Sequence, residues 1–314
     1  MYPFVASTIT PSREVLPGVS IHPQIVHTAK GPIEFDCTEG HGPVVLAVHG
    51  GLGGCDQARI MTEWIDPARY HILSPSRPGY LGTPLETGRT MEQQADALAA
   101  LLDILGIERA TVVGASAGGP PAYLFAVRHP KRIAGLIVID GVSGYYDMPE
   151  TAGPLEQVIF LSDLGQKMLQ KVGVWNPRVV LQGLFHSEGL FTKKQIEKHI
   201  EYVMADERLL AFLKAFTDTM SPYRLRKSGT ENDIEQLRQY SHLPVERIRC
   251  PSLIVHGTHD ADVKFYDGVY AYEHIPNAER FWIEEGSHLG FWLSPNAASA
   301  QEAARQFLDR CSRR

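Results

Sequence analysis

The sequence predicts an α/β fold with a mostly parallel sheet, helices on both faces and a helical insertion late in the chain. Short apolar runs alternate with longer helical patterns, and this alternation stops between about residues 142 and 243. The runs are continuously apolar, as in strands that are buried on both faces of a sheet. A strand, a helix and another strand in succession imply crossover connections, which produce parallel pairing.

The first predicted elements form a hairpin, because QIVHTA from Gln24 and PIEFDCT from Pro32 flank a Gly-Pro turn and are rich in β-branched and aromatic residues. Six further strands are predicted at VVLAV (from Val44), YHIL (Tyr70), ATVV (Ala110), LIVI (Leu136), SLIV (Ser252) and RFWI (Arg280). The clearest helix follows Thr90, which can cap it together with Gln93, and ends at Gly106.

The insertion has no strand pattern, and its amphipathic segments are 154–173, 176–185 and 192–216. We therefore predict a discontinuous core domain of residues 1–142 and 244–314, with a helical domain of residues 143–243 inserted in it. Aromatic residues of the insertion are candidates for lining a pocket, with ordinary packing as the alternative: Phe160, Trp175, Phe185, Phe212 and Phe216.

The composition argues against several classes of protein. The 314 residues include 30 basic and 36 acidic side chains with no basic run, which disfavours nucleic-acid binding. No window approaches the roughly 18 apolar residues of a membrane span, and the N-terminal segment lacks the pattern of a secretory signal. A cytoplasmic protein without a membrane span is expected, and a secreted protein whose signal peptide has been removed is the alternative. The four cysteines form no C-x-x-C pair, which disfavours a zinc or redox site.

The segment from Gly114 to Gly118 matches G-x-S-x-G, and it stands between the predicted strand ATVV and a helical pattern. A nucleophile elbow requires this context, because its serine sits in a sharp turn from strand to helix. Ser116 is therefore the predicted nucleophile, and an ordinary loop or N-cap serine is the alternative reading.

Other polar residues follow the predicted strands, where ligands bind in open parallel sheets. His288 comes after RFWI and can accept the proton of Ser116. Asp260, after SLIV, is the predicted carboxylate that orients this histidine, which gives the chain order serine, aspartate, histidine. Asp140, after LIVI, is the main alternative acid, and Asp262 is a weaker one.

Backbone N–H groups must stabilise the oxyanion that forms when a serine attacks a carbonyl group. Ala117 supplies one such group directly after the predicted nucleophile. The second is expected from the glycine-rich loop after VVLAV, at Gly51 or alternatively at Leu52, and His49 is expected to be structural.

The sequence does not match the motifs that bind cofactors or metal ions. Neither glycine-rich loop has the spacing of a dinucleotide or phosphate-binding loop, and His256, His259 and Asp260 do not fit a zinc helix motif. We expect no cofactor, no metal and a small-molecule acyl substrate.

Together these motifs resemble the α/β-hydrolase fold superfamily, in its serine-nucleophile, esterase-like branch with a helical cap after the sixth strand. The resemblance runs from about Gln24 to Phe307 and includes His49-Gly50-Gly51, SRPGYLGT from Ser76, the elbow at Ser116, the G-x-x-D-x-x-V segment ending at Val263, and the His288 region. It implies an eight-stranded, mostly parallel sheet, a Ser116–Asp260–His288 triad, an oxyanion hole from Gly51 and Ala117, and a cap at 143–243.

The resemblance alone does not select a substrate. Ser116 stands where haloalkane dehalogenases and epoxide hydrolases have aspartate. Leu52-Gly53 stands where proline iminopeptidases have Pro-Gly, which argues against a peptidase. His259-Asp260 stands where many carbon–carbon bond hydrolases have an Arg-Asp pair, which argues against that activity. Hydrolysis of a carboxylic ester through an acyl-enzyme is the prediction. The alternatives are a small-molecule receptor with slow hydrolysis, an acyltransferase, a lactonase, a peptidase or a carbon–carbon bond hydrolase.

Overall fold

The computed structural model describes residues 8–9, 11–40, 42–147 and 158–313. Its strands, in chain order, are β1 (Thr8–Ile9), β2 (Arg13–Leu16), β3 (Val19–Ile21), β4 (Gln24–Thr28), β5 (Gly31–Cys37), β6 (Val44–Val48), β7 (His71–Pro75), β8 (Ala110–Ala115), β9 (Ile133–Ile139), β10 (Ser252–Gly257) and β11 (Glu279–Ile283). All eight strands predicted from the sequence are among them.

The main sheet has the strand order β1-β4-β5-β7-β6-β8-β9-β10-β11. Strands β6 to β11 pair in parallel, whereas the β4–β5 hairpin joins the sheet antiparallel to β7. The predicted eight-stranded, mostly parallel sheet is confirmed, and the two-residue strand β1 extends it antiparallel to β4. Strands β2 and β3 form a separate hairpin, which is not among the predicted elements.

The described helices are α1 (Cys55–Met61), α2 (Met91–Ile104), α3 (Gly119–Arg128), α4 (Asp163–Trp175), α5 (Pro177–Glu188), α6 (Lys193–Met204), α7 (Glu207–Asp218), α8 (Lys227–Leu237), α9 (Phe265–His274), α10 (Gly290–Leu293) and α11 (Ala297–Ser312). The predicted capping box of α2 is present, since Thr90 and Gln93 each accept a backbone hydrogen bond from the other. Among the described helices, none combines the length and apolar character needed to span a bilayer.

Alternate residues of the central strands contribute to apolar clusters on opposite faces of the sheet. Val112 and Val138 belong to the cluster that includes α2 and α3, whereas Val113 and Ile137 belong to the cluster that includes α11. Burial on both faces explains why these strands are continuously apolar in sequence.

Of the described helices, five, α4 to α8, lie between β9 and β10, which are neighbours in the sheet. The two ends of this helical segment lie side by side. The N–H of Leu243 donates to the carbonyl of Ser143 at 2.8 Å, and Gly144 forms an isolated antiparallel β-bridge with His242. The start of the first predicted amphipathic segment, 154–157, lies outside the described residues. Helix α4 begins after Ser162, whose side chain accepts from the N–H of Gly165.

Candidate active site

Ser116 lies directly after β8, with a φ of 52° in the left-handed region, and α3 begins three residues later. The glycines on either side of it leave no room for a side chain. A Cβ at Gly118 would lie 2.4 Å from the carbonyl oxygen of Val48, and one at Gly114 would lie 2.8 Å from the carbonyl oxygen of Gly118. These contacts give the predicted elbow its physical basis, because only glycine allows the backbones to approach so closely.

The structure brings Ser116, His288 and Asp260 into one chain of hydrogen bonds. Oγ of Ser116 lies 2.9 Å from Nε2 of His288, and Nδ1 of the same ring lies 2.8 Å from Oδ2 of Asp260. Asp260 follows β10 and His288 follows β11, so the ends of three parallel strands supply the three side chains. This geometry allows proton transfer from the serine hydroxyl to the imidazole.

Asp260 is buried and held as a carboxylate. Its Oδ1 accepts hydrogen bonds from the N–H groups of Asp262 at 2.9 Å and Val263 at 3.0 Å. Burial opposes ionisation, but the charge of His288 and the hydrogen bonds from His256 and His288 outweigh it and lower the pKa of Asp260 below 3.8. A carboxylate bound in this way can stabilise an imidazolium beside it.

The alternative acid, Asp140, lies at the end of β9 in a different environment. Its Oδ1 accepts from the N–H of Gly257 at 2.7 Å, and its Oδ2 has no hydrogen-bond partner among the described residues. Burial raises the pKa of Asp140 to about 7. The hydrogen bond to Nδ1 of His288 is made by Asp260, while Asp262 lies on the other side of the ring, 3.3 Å from Nε2.

The glycine-rich loop after β6 is fixed against the elbow. The N–H of Arg77 donates to Nε2 of His49 at 2.9 Å, so Nδ1 of that ring carries the proton that it shares with the carbonyl of Gly50 at 2.7 Å. A Cβ at Gly50 would lie 3.1 Å from the Cβ of Ser116. These contacts support a structural role for His49.

The residues predicted for the oxyanion hole lie around the same cavity as Ser116. Gly51, its alternative Leu52, and Ala117 all line this cavity. A Cβ at Gly51 would meet no atom within 4 Å, whereas Leu52 adopts a φ of 59°. Gly51 therefore lines the cavity with open space on the side where a side chain would lie.

A buried ion pair that sequence reasoning missed joins this loop to the helical insertion. Both terminal nitrogens of the Arg77 guanidinium, Nη1 and Nη2, donate to Asp233 of α8, at 2.9 and 2.5 Å, and the two side chains are 1% and 4% exposed. Arg77 also donates to the carbonyls of His49 at 2.9 Å and Gly50 at 3.1 Å. The SRPGYLGT motif pointed to the arginine, but no spacing pattern in the sequence identifies its partner in the insertion.

We expect Asp233→Asn to lower the free energy of unfolding by about 3–5 kcal/mol, because it leaves the Arg77 charge buried without a counter-ion. Denaturant unfolding followed by circular dichroism would measure this. The matched control is Asp218→Asn, which breaks an exposed pair with Lys214 and should cost less than about 1 kcal/mol. Equal losses in the two variants would contradict the expectation.

A cavity of about 200 Å³ opens onto Ser116 and His288. Two of the five candidate aromatic residues, Phe160 and Phe216, line it. Phe185 and Phe212 pack in the apolar core instead, and Trp175 is 91% exposed. Among the described lining residues there is no lysine or arginine, and the acidic ones are Asp140, Glu188, Asp233 and Asp262.

The end of α5 is hydrogen-bonded to the loops that carry Asp260 and His288. The carbonyl of Glu188 accepts from the N–H groups of Ala261 at 3.1 Å and His288 at 3.2 Å, and the N–H of Leu190 donates to His259. Burial raises the pKa of the Glu188 carboxyl to about 8. The insertion is thus attached to the backbone of the site itself.

Three potential metal ligands, Asp140, His256 and Asp260, lie together beneath the site. Nε2 of His256 lies 2.9 Å from the carbonyl oxygen of Val263, as an N–H donor does, and 3.5 Å from Asp260. A proton on this nitrogen occupies the position that a metal ion would need. The cluster therefore fits a hydrogen-bonded support for Asp260 better than a metal centre.

Known proteins share this architecture. A family model of the alpha/beta hydrolase fold matches residues 43–295. The chain is 28% identical over 283 residues to an uncharacterized hydrolase, YcgS, of Bacillus subtilis, covering 89% of this chain and 95% of that one. It is 26% identical to a 2-hydroxy-6-oxononadienedioate/2-hydroxy-6-oxononatrienedioate hydrolase of Paraburkholderia phymatum, with 72% of each covered.

Among solved structures, an alpha/beta hydrolase fold protein from Nakamurella multipartita superposes with a TM-score of 0.83 at 33% sequence identity, covering 91% of this chain and 98% of that one. The family match spans most of the chain, and the fold that it names agrees with the mostly parallel sheet described above. The chain is a hydrolase that belongs to the α/β-hydrolase fold family.

Proposed function

We propose that this protein is a serine hydrolase that cleaves a carboxylic ester of a small, uncharged acyl substrate through an acyl-enzyme. The observation that carries the proposal is the hydrogen-bonded series Ser116–His288–Asp260, which opens into a largely apolar cavity. These groups are sufficient to form and hydrolyse an acyl-enzyme without a cofactor.

In the proposed mechanism, Nε2 of His288 takes the proton of Ser116 as Oγ attacks the ester carbonyl. Asp260 stabilises the imidazolium that results. Backbone N–H groups of Ala117 and Gly51, with Leu52 as the alternative, receive the oxyanion. The imidazolium then protonates the leaving alcohol, and a water molecule activated by the same ring hydrolyses the acyl-enzyme.

We assign residues 143–243 as the cap and residues 1–142 with 244–314 as the core. The adjacent entry and exit of the helical segment at Ser143 and Leu243 support these boundaries. Phe160 and Phe216 of the segment line the same cavity as Ser116, which supports a role of the cap in shaping the acyl pocket.

The charges around the cavity favour an uncharged substrate over the dienedioate in the name of the Paraburkholderia relative, which bears two carboxylates. The described lining has four acidic side chains and no lysine or arginine, and the sequence of residues 148–157 contains neither basic residue. A substrate carboxylate would have to be desolvated beside these acidic groups with no lysine or arginine of the described lining to pair with it. Carbon–carbon bond hydrolysis nevertheless stays the second candidate, because that relative aligns over most of both chains.

A matched pair of esters tests the proposal. We expect turnover of uncharged p-nitrophenyl esters from acetate to octanoate, with one preferred length. The p-nitrophenyl monoester of adipic acid should be cleaved at least about tenfold less efficiently than the hexanoate, a difference of about 1.4 kcal/mol. Hydrolysis of a dienedioate with no turnover of any ester would instead establish the second candidate.

Activity should rise with pH through the pKa of His288. Burial disfavours the imidazolium, but Asp260 and Asp262 more than compensate and hold the pKa of His288 well above 6.5. The ring must be neutral to act as a base, so kcat/KM should fall as pH drops below this raised pKa. A pH–rate profile that stays flat down to pH 4 would rule out His288 as the base.

A further inference from the structure

Asp262 places a second carboxylate against the reactive nitrogen of His288. Its Oδ2 lies 3.3 Å from Nε2, the nitrogen that also contacts Oγ of Ser116 at 2.9 Å. The proposed base therefore has a carboxylate beside each ring nitrogen, since Asp260 already occupies Nδ1. Proton transfer from the serine requires only the carboxylate at Nδ1, which leaves Asp262 without a role in the mechanism above.

Tyr146 holds Asp262 in this position from the start of the helical insertion. Its hydroxyl donates to Oδ1 of Asp262 at 2.6 Å, which leaves Oδ2 directed at the imidazole. Burial raises the pKa of Asp262, whereas the charge of His288 and this hydrogen bond from Tyr146 both favour the ionised carboxylate. The Asp262 side chain is only 22% exposed, so solvent screens its interaction with the ring incompletely.

We propose that Asp262 is a positioning residue that retains a proton on Nε2 of His288 in the free enzyme, and that Tyr146 keeps Asp262 ionised for this purpose. The proposal rests on the proposed function, because it takes His288 as the base. The imidazolium and the Asp262 carboxylate form an ion pair, and raising the pH transfers the Nε2 proton to solvent hydroxide. Only then can Nε2 accept the proton of Ser116.

The other titratable groups around the ring fit this arrangement. Asp260 acts at Nδ1, and Glu188, on the α5 side, is a neighbouring carboxyl whose pKa burial raises to about 8. Asp140 and His256 lie behind Asp260. At the Nε2 side, the described residues with a polar contact to that nitrogen are Ser116 and Asp262. Asp262 is therefore the charge that acts directly on the reactive nitrogen.

The experiment measures the pH dependence of inactivation by a fluorophosphonate, which requires the nucleophile and its base but no particular substrate. A carboxylate in contact with an imidazolium raises the pKa of the imidazolium by about 1–3 units. In Asp262→Asn we expect the acid limb, the part of the profile in which the inactivation rate falls with falling pH, to move to lower pH by about 1–2 pH units. Inactivation one pH unit below the wild-type midpoint should then be about 5- to 10-fold faster than in the wild type. At high pH the inactivation rates of Asp262→Asn and the wild type should become equal.

Two variants serve as controls. Asp218→Asn removes the same charge from an exposed pair with Lys214 and should leave the acid limb where it is in the wild type. Tyr146→Phe is the graded control: it keeps Asp262 but removes the hydrogen bond that favours its ionised form, so it should move the limb in the same direction as Asp262→Asn, by a smaller amount. A structural disturbance would lower the rate at every pH, whereas the proposed role changes the midpoint.

A measurement on the wild type covers the case in which Asp262→Asn does not fold. The ¹⁵N NMR signals of the His288 ring should show protons on both nitrogens at pH 6.5, and an unprotonated Nε2 would overturn the proposal. The proposal would also be overturned if the acid limbs of the wild type and Asp262→Asn coincided. Labelling of both proteins by the fluorophosphonate would then still support the proposed function. Absence of labelling at every pH would overturn both.

Discussion

Replacing Ser116 with alanine should reduce turnover to the background rate while leaving the fold intact. The change removes the hydroxyl that lies 2.9 Å from Nε2 of His288, and with it the atom that would form the acyl-enzyme. Loss of the nucleophile in a serine hydrolase lowers kcat by roughly 10⁶-fold. The free energy of unfolding should change by no more than about 1.5 kcal/mol, because a single side-chain hydrogen bond is lost.

Intact-mass spectrometry after fluorophosphonate treatment provides the direct readout. We expect one label on the wild type and none on Ser116→Ala. Ser187 is the other serine that lines the described part of the cavity, and its hydroxyl donates to the carbonyl of Leu184. Ser187→Ala should still be labelled once. Loss of the label in Ser187→Ala but not in Ser116→Ala would reverse the assignment of the nucleophile.

The sequence predicted the central strands of the main sheet because they are buried on both faces, and burial of that kind leaves a continuous apolar run. Strands β1 to β3 lack this signal. Arg13 and Glu14 of β2 are exposed, and β1 has only two residues. The Pro17-Gly18 turn between β2 and β3, where Gly18 has a φ of 77°, was the local signal available for that hairpin.

The positions of Ser116, Asp260 and His288 could be predicted because each directly follows a strand of the parallel sheet. Topology alone then brings them to one edge. Their catalytic roles stay predictions. The contacts of Arg77 with Asp233 and of Asp262 with Tyr146 could not be foreseen, because each joins the core to the helical insertion. Neither periodicity nor spacing determines how the insertion packs on the core.

Asp260→Asn should lower kcat by about 10⁴-fold, the loss expected when the orienting carboxylate of such a triad becomes an amide. The amide would present N–H groups to Nδ1 of His288 and favour the ring tautomer that carries its proton on Nε2. That tautomer cannot accept the proton of Ser116. Oδ1 can still accept from the N–H groups of Asp262 and Val263, so the loop should keep its conformation.

Asp140→Asn is the matched comparison, because it makes the same substitution at the alternative acid, which is also buried. Asp140 bonds to the N–H of Gly257 through Oδ1, which an asparagine oxygen can replace, and its Oδ2 has no partner among the described residues. Burial raises the pKa of Asp140 to about 7 and so favours the neutral carboxyl, which the neutral amide of asparagine resembles. We therefore expect a loss of less than about tenfold in kcat. If Asp140→Asn were far more damaging than Asp260→Asn, the acid of the triad would be Asp140, and the hydrogen bond between Asp260 and His288 would be structural.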